Sequence, residues 1–142
     1  MPSVEPIVLD THSFIWAYTL HRVSPRVTKK IDAAGLQNEL YIAAVTPLEI
    51  AMAARAQRLR LTGPVLQWLE TALQRLRVGI APLDPSIAVD SVDLPGNWKH
   101  SDPFDRVIVA TARHLGAVLI TADGAILDYA AKVKAVRVLE PS

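Results

Sequence analysis

Ile7-Val8-Leu9-Asp10-Thr11-His12 runs three apolar residues straight into a carboxylate. Pro6 bounds the run on one side and Asp10 on the other, the form of a short strand buried on both faces. The same grammar returns at Ala117-Val118-Leu119-Ile120-Thr121, which ends at Ala122-Asp123-Gly124. Further strands are expected at Tyr41–Val45, Val78–Leu83 and Ala135–Leu139. Helical patterns fill the intervals. Ser13–Leu20 reads as a helix, and Ser24-Pro25 supplies an N-cap and a first-turn proline for another, running to about Ala34 with Gly35 as its stop. Thr46-Pro47-Leu48-Glu49 has the pattern of a capping box and opens a helix to about Gln57. After the Gly63-Pro64 break, Leu66, Leu69, Leu73 and Leu76 recur at helical spacing within Val65–Leu76. Pro85–Val92 is a short helix, Asp102-Pro103 opens one to about Leu115 with Gly116 as its stop, and Ala125–Ala131 forms another.

Strands that alternate with helices predict an α/β fold, with a central, mainly parallel sheet of about four to five strands and helices on both faces. No repeat, low-complexity tract or linker interrupts the pattern, so residues 1–142 are read as a single domain.

Composition narrows the function classes. Of 142 residues, 51% are apolar, enough for a packed core and too many for disorder. The formal net charge of +1 does not by itself announce a nucleic-acid binder. The absence of cysteine excludes disulfides, thiolate metal sites and cysteine nucleophiles. No apolar run approaches membrane-spanning length, and Met-Pro-Ser-Val-Glu-Pro lacks the basic-then-apolar form of a signal peptide. A soluble, cytoplasmic protein without a membrane partner is the expectation.

Acids stand where a parallel sheet would gather them. Asp10 and Asp123 follow two strands, and Glu49 and Asp105 lie in the first turns of helices that adjoin the sheet. Functional groups of open parallel sheets collect at the carboxyl ends of the strands. Buried acids are costly unless compensated, and hard oxygen ligands suit Mg²⁺ or Mn²⁺. Cleavage of a phosphodiester needs an activated water and neutralisation of charge on phosphate oxygens, both of which carboxylate-held divalent ions supply. Each acid alone has a plainer role: Glu49 and Asp105 as first-turn helix acids, Asp10 and Asp123 as strand-end turn residues, Asp102 as an N-cap. Those roles do not explain why an acid stands at each position where the topology converges.

The motifs resemble those of the PIN-domain ribonucleases, in particular the VapC-type toxins of type II toxin–antitoxin pairs. Leu9-Asp10-Thr11-His12 with Phe14-Ile15-Trp16 is similar to the family's opening strand and helix. Thr46-Pro47-Leu48-Glu49-Ile50-Ala51 resembles its second acidic motif, although Pro47-Leu48 stand where an aromatic or small polar residue is frequent and Ala53-Ala54-Arg55 where a lysine is common. Asp102-Pro103-Phe104-Asp105-Arg106 and Leu119-Ile120-Thr121-Ala122-Asp123 resemble the remaining two. The resemblance implies a PIN-like three-layer fold and Mg²⁺- or Mn²⁺-dependent endoribonuclease activity. It implies a catalytic, metal-holding set of Asp10, Glu49, Asp105 and Asp123, with Asp10 and Asp105 as main ligands. Thr11 and Thr121 would hydrogen-bond the acids or a water, and Asp102 would support the helix start. An RNA substrate, a cognate antitoxin and a homodimer are the implied partners.

Other residues carry weaker signals. Arg55, Arg58 and Arg60, and separately Arg75 and Arg77, read as solvated faces or partner contacts ahead of RNA phosphate contacts. His12 and His100 flank acids and suggest general bases, with packing or capping of the first helix preferred for His12; Trp98 is read as a core or interface residue and as the tryptophan to test for RNA contact, and Arg106 as a surface residue or the partner of a neighbouring acid. Two alternatives stand beside the nuclease. One is a catalytically weak PIN-fold binding module. The other is a phosphoacceptor signalling domain, for which Asp84 is available but the required lysine is missing from Val138-Leu139-Glu140-Pro141.

Overall fold

The computed structural model describes residues 4–142. In chain order the elements are β1 (Ile7–Leu9), α1 (Thr11–Thr19), α2 (Pro25–Leu36), β2 (Leu40–Ala43), α3 (Thr46–Arg55), α4 (Val65–Leu76), β3 (Gly79–Ala81), α5 (Pro85–Val92), α6 (Pro103–Leu115), β4 (Val118–Ile120), α7 (Gly124–Val133) and β5 (Arg137–Leu139). The strands form one sheet in the order β3-β2-β1-β4-β5, and every pairing is parallel. The expected α/β architecture is therefore observed.

Side-chain alternation along the strands divides the core into two layers. Ile7, Leu9, Ile42 and Ile120 pack with Phe14, Ile31, Ile50 and Leu69, so α1–α4 cover one face. Val8, Ala43 and Leu119 pack with Ile87, Ile108, Ile126 and Tyr129, so α5–α7 cover the other. No helix among the described residues is long and apolar enough to cross a membrane.

Strand order reverses beside β1: the chain leaves it towards β2 on one side and later returns to β4 on the other. Leu9 is in register with both Ile42 and Ile120, so the carboxyl ends of the three central strands are level. Such a switch point opens a crevice at the carboxyl edge, because adjoining connections depart to opposite faces.

Local boundaries differ from expectation in instructive places. Gly35 does not stop α2 but lies buried inside it. A Cβ there would sit 2.6 Å from the Leu76 carbonyl oxygen, so this glycine lets α2 approach the end of α4. The strand expected at Tyr41–Val45 ends at Ala43, because Ala44 and Val45 turn the chain into α3. The capping box at Thr46 is not formed: Val45 occupies the N-cap position and no side chain caps the helix. Thr46 and Glu49 are both engaged elsewhere, on Thr11.

Candidate functional site

Each strand end at the crevice hands its acid directly to a helix. Asp10 follows β1 and N-caps α1, where its Oδ1 accepts from the Ser13 N–H at 2.8 Å. Its Oδ2 accepts from the Thr121 hydroxyl at 2.5 Å. Thr121, fully buried just past β4, in turn accepts from the Asp123 N–H at 3.0 Å. Asp123 N-caps α7 through the Ile126 N–H at 3.0 Å. One hydroxyl thus couples the acids at the ends of β1 and β4. On the other side of Asp10, the Thr11 hydroxyl donates to Glu49 at 2.5 Å and lies 3.2 Å from the Thr46 hydroxyl.

The start of α6 supplies the rest. Asp102 N-caps it through the Phe104 N–H at 2.9 Å. Asp105, in the first turn, places its Oδ2 2.7 Å from Nε2 of His100. Burial pushes the Asp105 carboxyl up to about 6, against the His100 hydrogen bond that favours its charged form, while the negative charges of Asp102 and Asp123 add to the rise. Ligand-type atoms of His100, Asp105 and Asp123 all lie within 4.8 Å of one another. Asp10 and Glu49 fall outside that tight group. Glu49, Thr11 and Asp102 instead share an adjoining cavity of about 380 Å³, which His12, Arg58 and Phe104 also line.

The donor set fits a divalent cation: two carboxylates and an imidazole nitrogen at mutual spacings one ion can span, with burial disfavouring the charged form of the Asp105 carboxyl. One of the weaker expectations changes. Arg106 neither pairs with an acid nor lies free on the surface. Its guanidinium donates to the carbonyls of Ser91 (2.7 Å), Trp98 (2.7 Å), His100 (3.0 Å) and Val92 (3.1 Å). Trp98 packs as a core or interface residue does, against the core and between neighbouring rings, with His100 at 4.8 Å and Tyr129 at 4.5 Å between centroids. His100, which flanks the acidic motif in sequence without being counted among its ligands, lies at the site. Its signal lay in its position five residues ahead of Asp105, where the chain must double back across the helix start.

A doubly wound parallel sheet with acids gathered at its switch point defines this chain as an acidic-crevice α/β domain. It belongs to the PIN domain family, whose model matches residues 7–132. The chain is 37% identical over 119 residues to Ribonuclease VapC22 of Mycobacterium tuberculosis, a match covering 82% of this chain and 86% of that protein. Its fold is similar to VapBC2 from Rickettsia felis, solved bound to a DNA fragment from its promoter, with a TM-score of 0.69, 13% identity, and coverage of 94% and 97% of the two chains. FitAcB from Neisseria gonorrhoeae superposes with a TM-score of 0.62 at 25% identity, covering 95% of this chain and 97% of that one.

Proposed function

We propose that this chain is a Mg²⁺- or Mn²⁺-dependent endoribonuclease and the toxin of a type II toxin–antitoxin pair. The close approach of Asp105 to Asp123 at the switch-point crevice, with Asp10 linked to Asp123 through Thr121, is the observation that carries the reading. The 37% identity to a ribonuclease supports RNA as the substrate, and the toxin–antitoxin complexes among the structural neighbours support an antitoxin partner. A second copy of the chain is the proposed oligomeric partner and the cytoplasm the proposed compartment.

Asp105 and Asp123 would hold the cation, with Asp10, linked to Asp123 through Thr121, as the third carboxylate of the site. The bound ion supplies Lewis-acid activation of water and neutralises charge on the scissile phosphate. Thr121 sets the spacing of Asp10 and Asp123, and Thr11 does the same for Glu49, so the acids are ordered before substrate arrives. Asp102 fixes the start of the helix that carries Asp105. The cavity beside Glu49 gives the RNA chain a path past the acids, with Arg58 on its wall for a backbone phosphate.

Purified protein incubated with RNA and Mg²⁺ or Mn²⁺ tests the proposal, alongside Asp10→Asn and Asp105→Asn. Metal-dependent cleavage that both substitutions abolish is expected. Metal-independent cleavage, or full activity in both variants, overturns it.

A further inference from the structure

The loop between α5 and α6 is built to present one side chain. Arg106, the residue after Asp105, reaches back and binds four carbonyls of that loop and the preceding helix end, including those of Trp98 and His100 themselves. Its guanidinium also lies over the Trp98 ring, 5.6 Å from the centroid. Trp98 stacks on the His100 imidazole with an interplanar angle of 21°, and against Tyr129 at 23°. Tyr129 closes the set by donating its hydroxyl to the Pro95 carbonyl at 2.7 Å. The imidazole is therefore held on one face by packing and along its backbone by hydrogen bonds, with Nε2 directed at Asp105.

We infer that His100 is a nitrogen ligand of the cation held by Asp105 and Asp123, so that the centre is a mixed nitrogen–oxygen site selective for Mn²⁺ over Mg²⁺. This rests on the metal-dependent reading above. Adjacent ligands of an octahedral ion at about 2.1 Å stand about 3 Å apart, and the Nε2–Oδ2 separation of 2.7 Å needs a widening of only a few tenths of an ångström to match. Mg²⁺ prefers hard oxygen donors and keeps its waters, whereas imidazole is a good ligand for transition ions. A histidine whose ring is fixed before binding loses little further entropy when it ligates. Were His100 only a counter-charge for Asp105 in the free protein, an incoming ion would have to displace it, and its removal would tighten binding.

The two cases give opposite results. Calorimetric titration of the full chain with MnCl₂ and with MgCl₂, for the native protein and His100→Gln, is expected to show tighter Mn²⁺ binding in the native protein. The substitution is expected to weaken Mn²⁺ by about tenfold or more and Mg²⁺ by less than about threefold. Spin-echo modulation spectroscopy of the Mn²⁺-loaded native protein is expected to show a directly coupled ¹⁴N nucleus, absent in His100→Gln. This readout does not depend on the variant's folding. Mn²⁺ bound without nitrogen coupling, or bound as tightly or more tightly by His100→Gln, overturns the inference and leaves the metal-dependent reading in place. A native protein that binds neither ion overturns both.

Discussion

Thr121→Val tests whether the acidic crevice is held by the hydroxyl that joins its two strand ends. Valine matches threonine in shape, so the exchange opens no cavity at this fully buried position and removes only the oxygen. Two bonds go with it: the donation to Asp10 Oδ2 at 2.5 Å and the acceptance from the Asp123 N–H at 3.0 Å. A hydrogen bond to a charged group contributes a net ~1.5–3 kcal/mol, and stranding a partly buried N–H costs about a further 1 kcal/mol. Asp10, only 6% exposed, would keep one donor among the described residues, the Ser13 N–H, with little water to replace the loss. The expected destabilisation of the metal-free protein is about 2–4 kcal/mol, or on the order of 10 °C in Tm for a chain of this length. Urea unfolding followed by tryptophan fluorescence measures it, with an unchanged m-value as the sign that both states keep their compactness. Thr121→Ser retains the hydroxyl and should cost about 1 kcal/mol for its lost methyl group. If Thr121→Val unfolds within about 0.5 kcal/mol of the native protein, or if the serine variant is as unstable as the valine one, the coupling does not hold the site.

Other perturbations probe other links. The Asp105 carboxyl, at about 6 in the folded protein against an ordinary 3.8, binds its proton more tightly when folded. Its stabilising contribution is therefore complete below about pH 3.8 and lost as pH rises through about 6. Asp105→Asn should make the metal-free protein more stable than the native one above pH 6, by roughly 1–2 kcal/mol after solvent screening, with the difference vanishing by about pH 4 in urea titrations. The same proton competes with the cation, so Mn²⁺ affinity measured calorimetrically should fall as pH drops below about 6, and a flat profile would contradict the assignment of Asp105 as a ligand. Gly35→Ala should destabilise by about 1–3 kcal/mol despite alanine's better helix propensity, because its Cβ meets a backbone oxygen at 2.6 Å that cannot swing aside. Arg106→Lys cannot reproduce a planar fork serving four carbonyls, and should lower stability by about 2–4 kcal/mol and raise amide exchange across residues 93–102.

What could be read from the sequence divides along the range of the interactions concerned. Strand type and parallel order were legible because Ile7–Leu9 and Val118–Ile120 carry their burial in their own composition, and because only crossovers can join parallel neighbours. The placement of Asp10 and Asp123 at one edge was legible for a related reason: a residue just past a parallel strand reaches the same edge whatever the helices do in detail. The misreadings arose where a short-range pattern competed with a partner distant in sequence. Thr46-Pro47-Leu48-Glu49 satisfies the local rule for a helix cap, yet Glu49 accepts from a hydroxyl 38 residues away and Thr46 lies against the same group. Arg106 likewise looks like a surface residue until the carbonyls of Ser91, Val92, Trp98 and His100 fold back onto its guanidinium. A capping bond to an exposed backbone N–H contributes about 1 kcal/mol, whereas leaving a part-buried carboxylate without a donor costs more. The distant contact therefore wins wherever the fold brings a donor to the acid. Acids with two plausible roles resolve in this chain by burial: Asp84, which is exposed, stays a helix cap on Ile87, whereas Asp10 caps α1 with one oxygen and turns the other into the crevice.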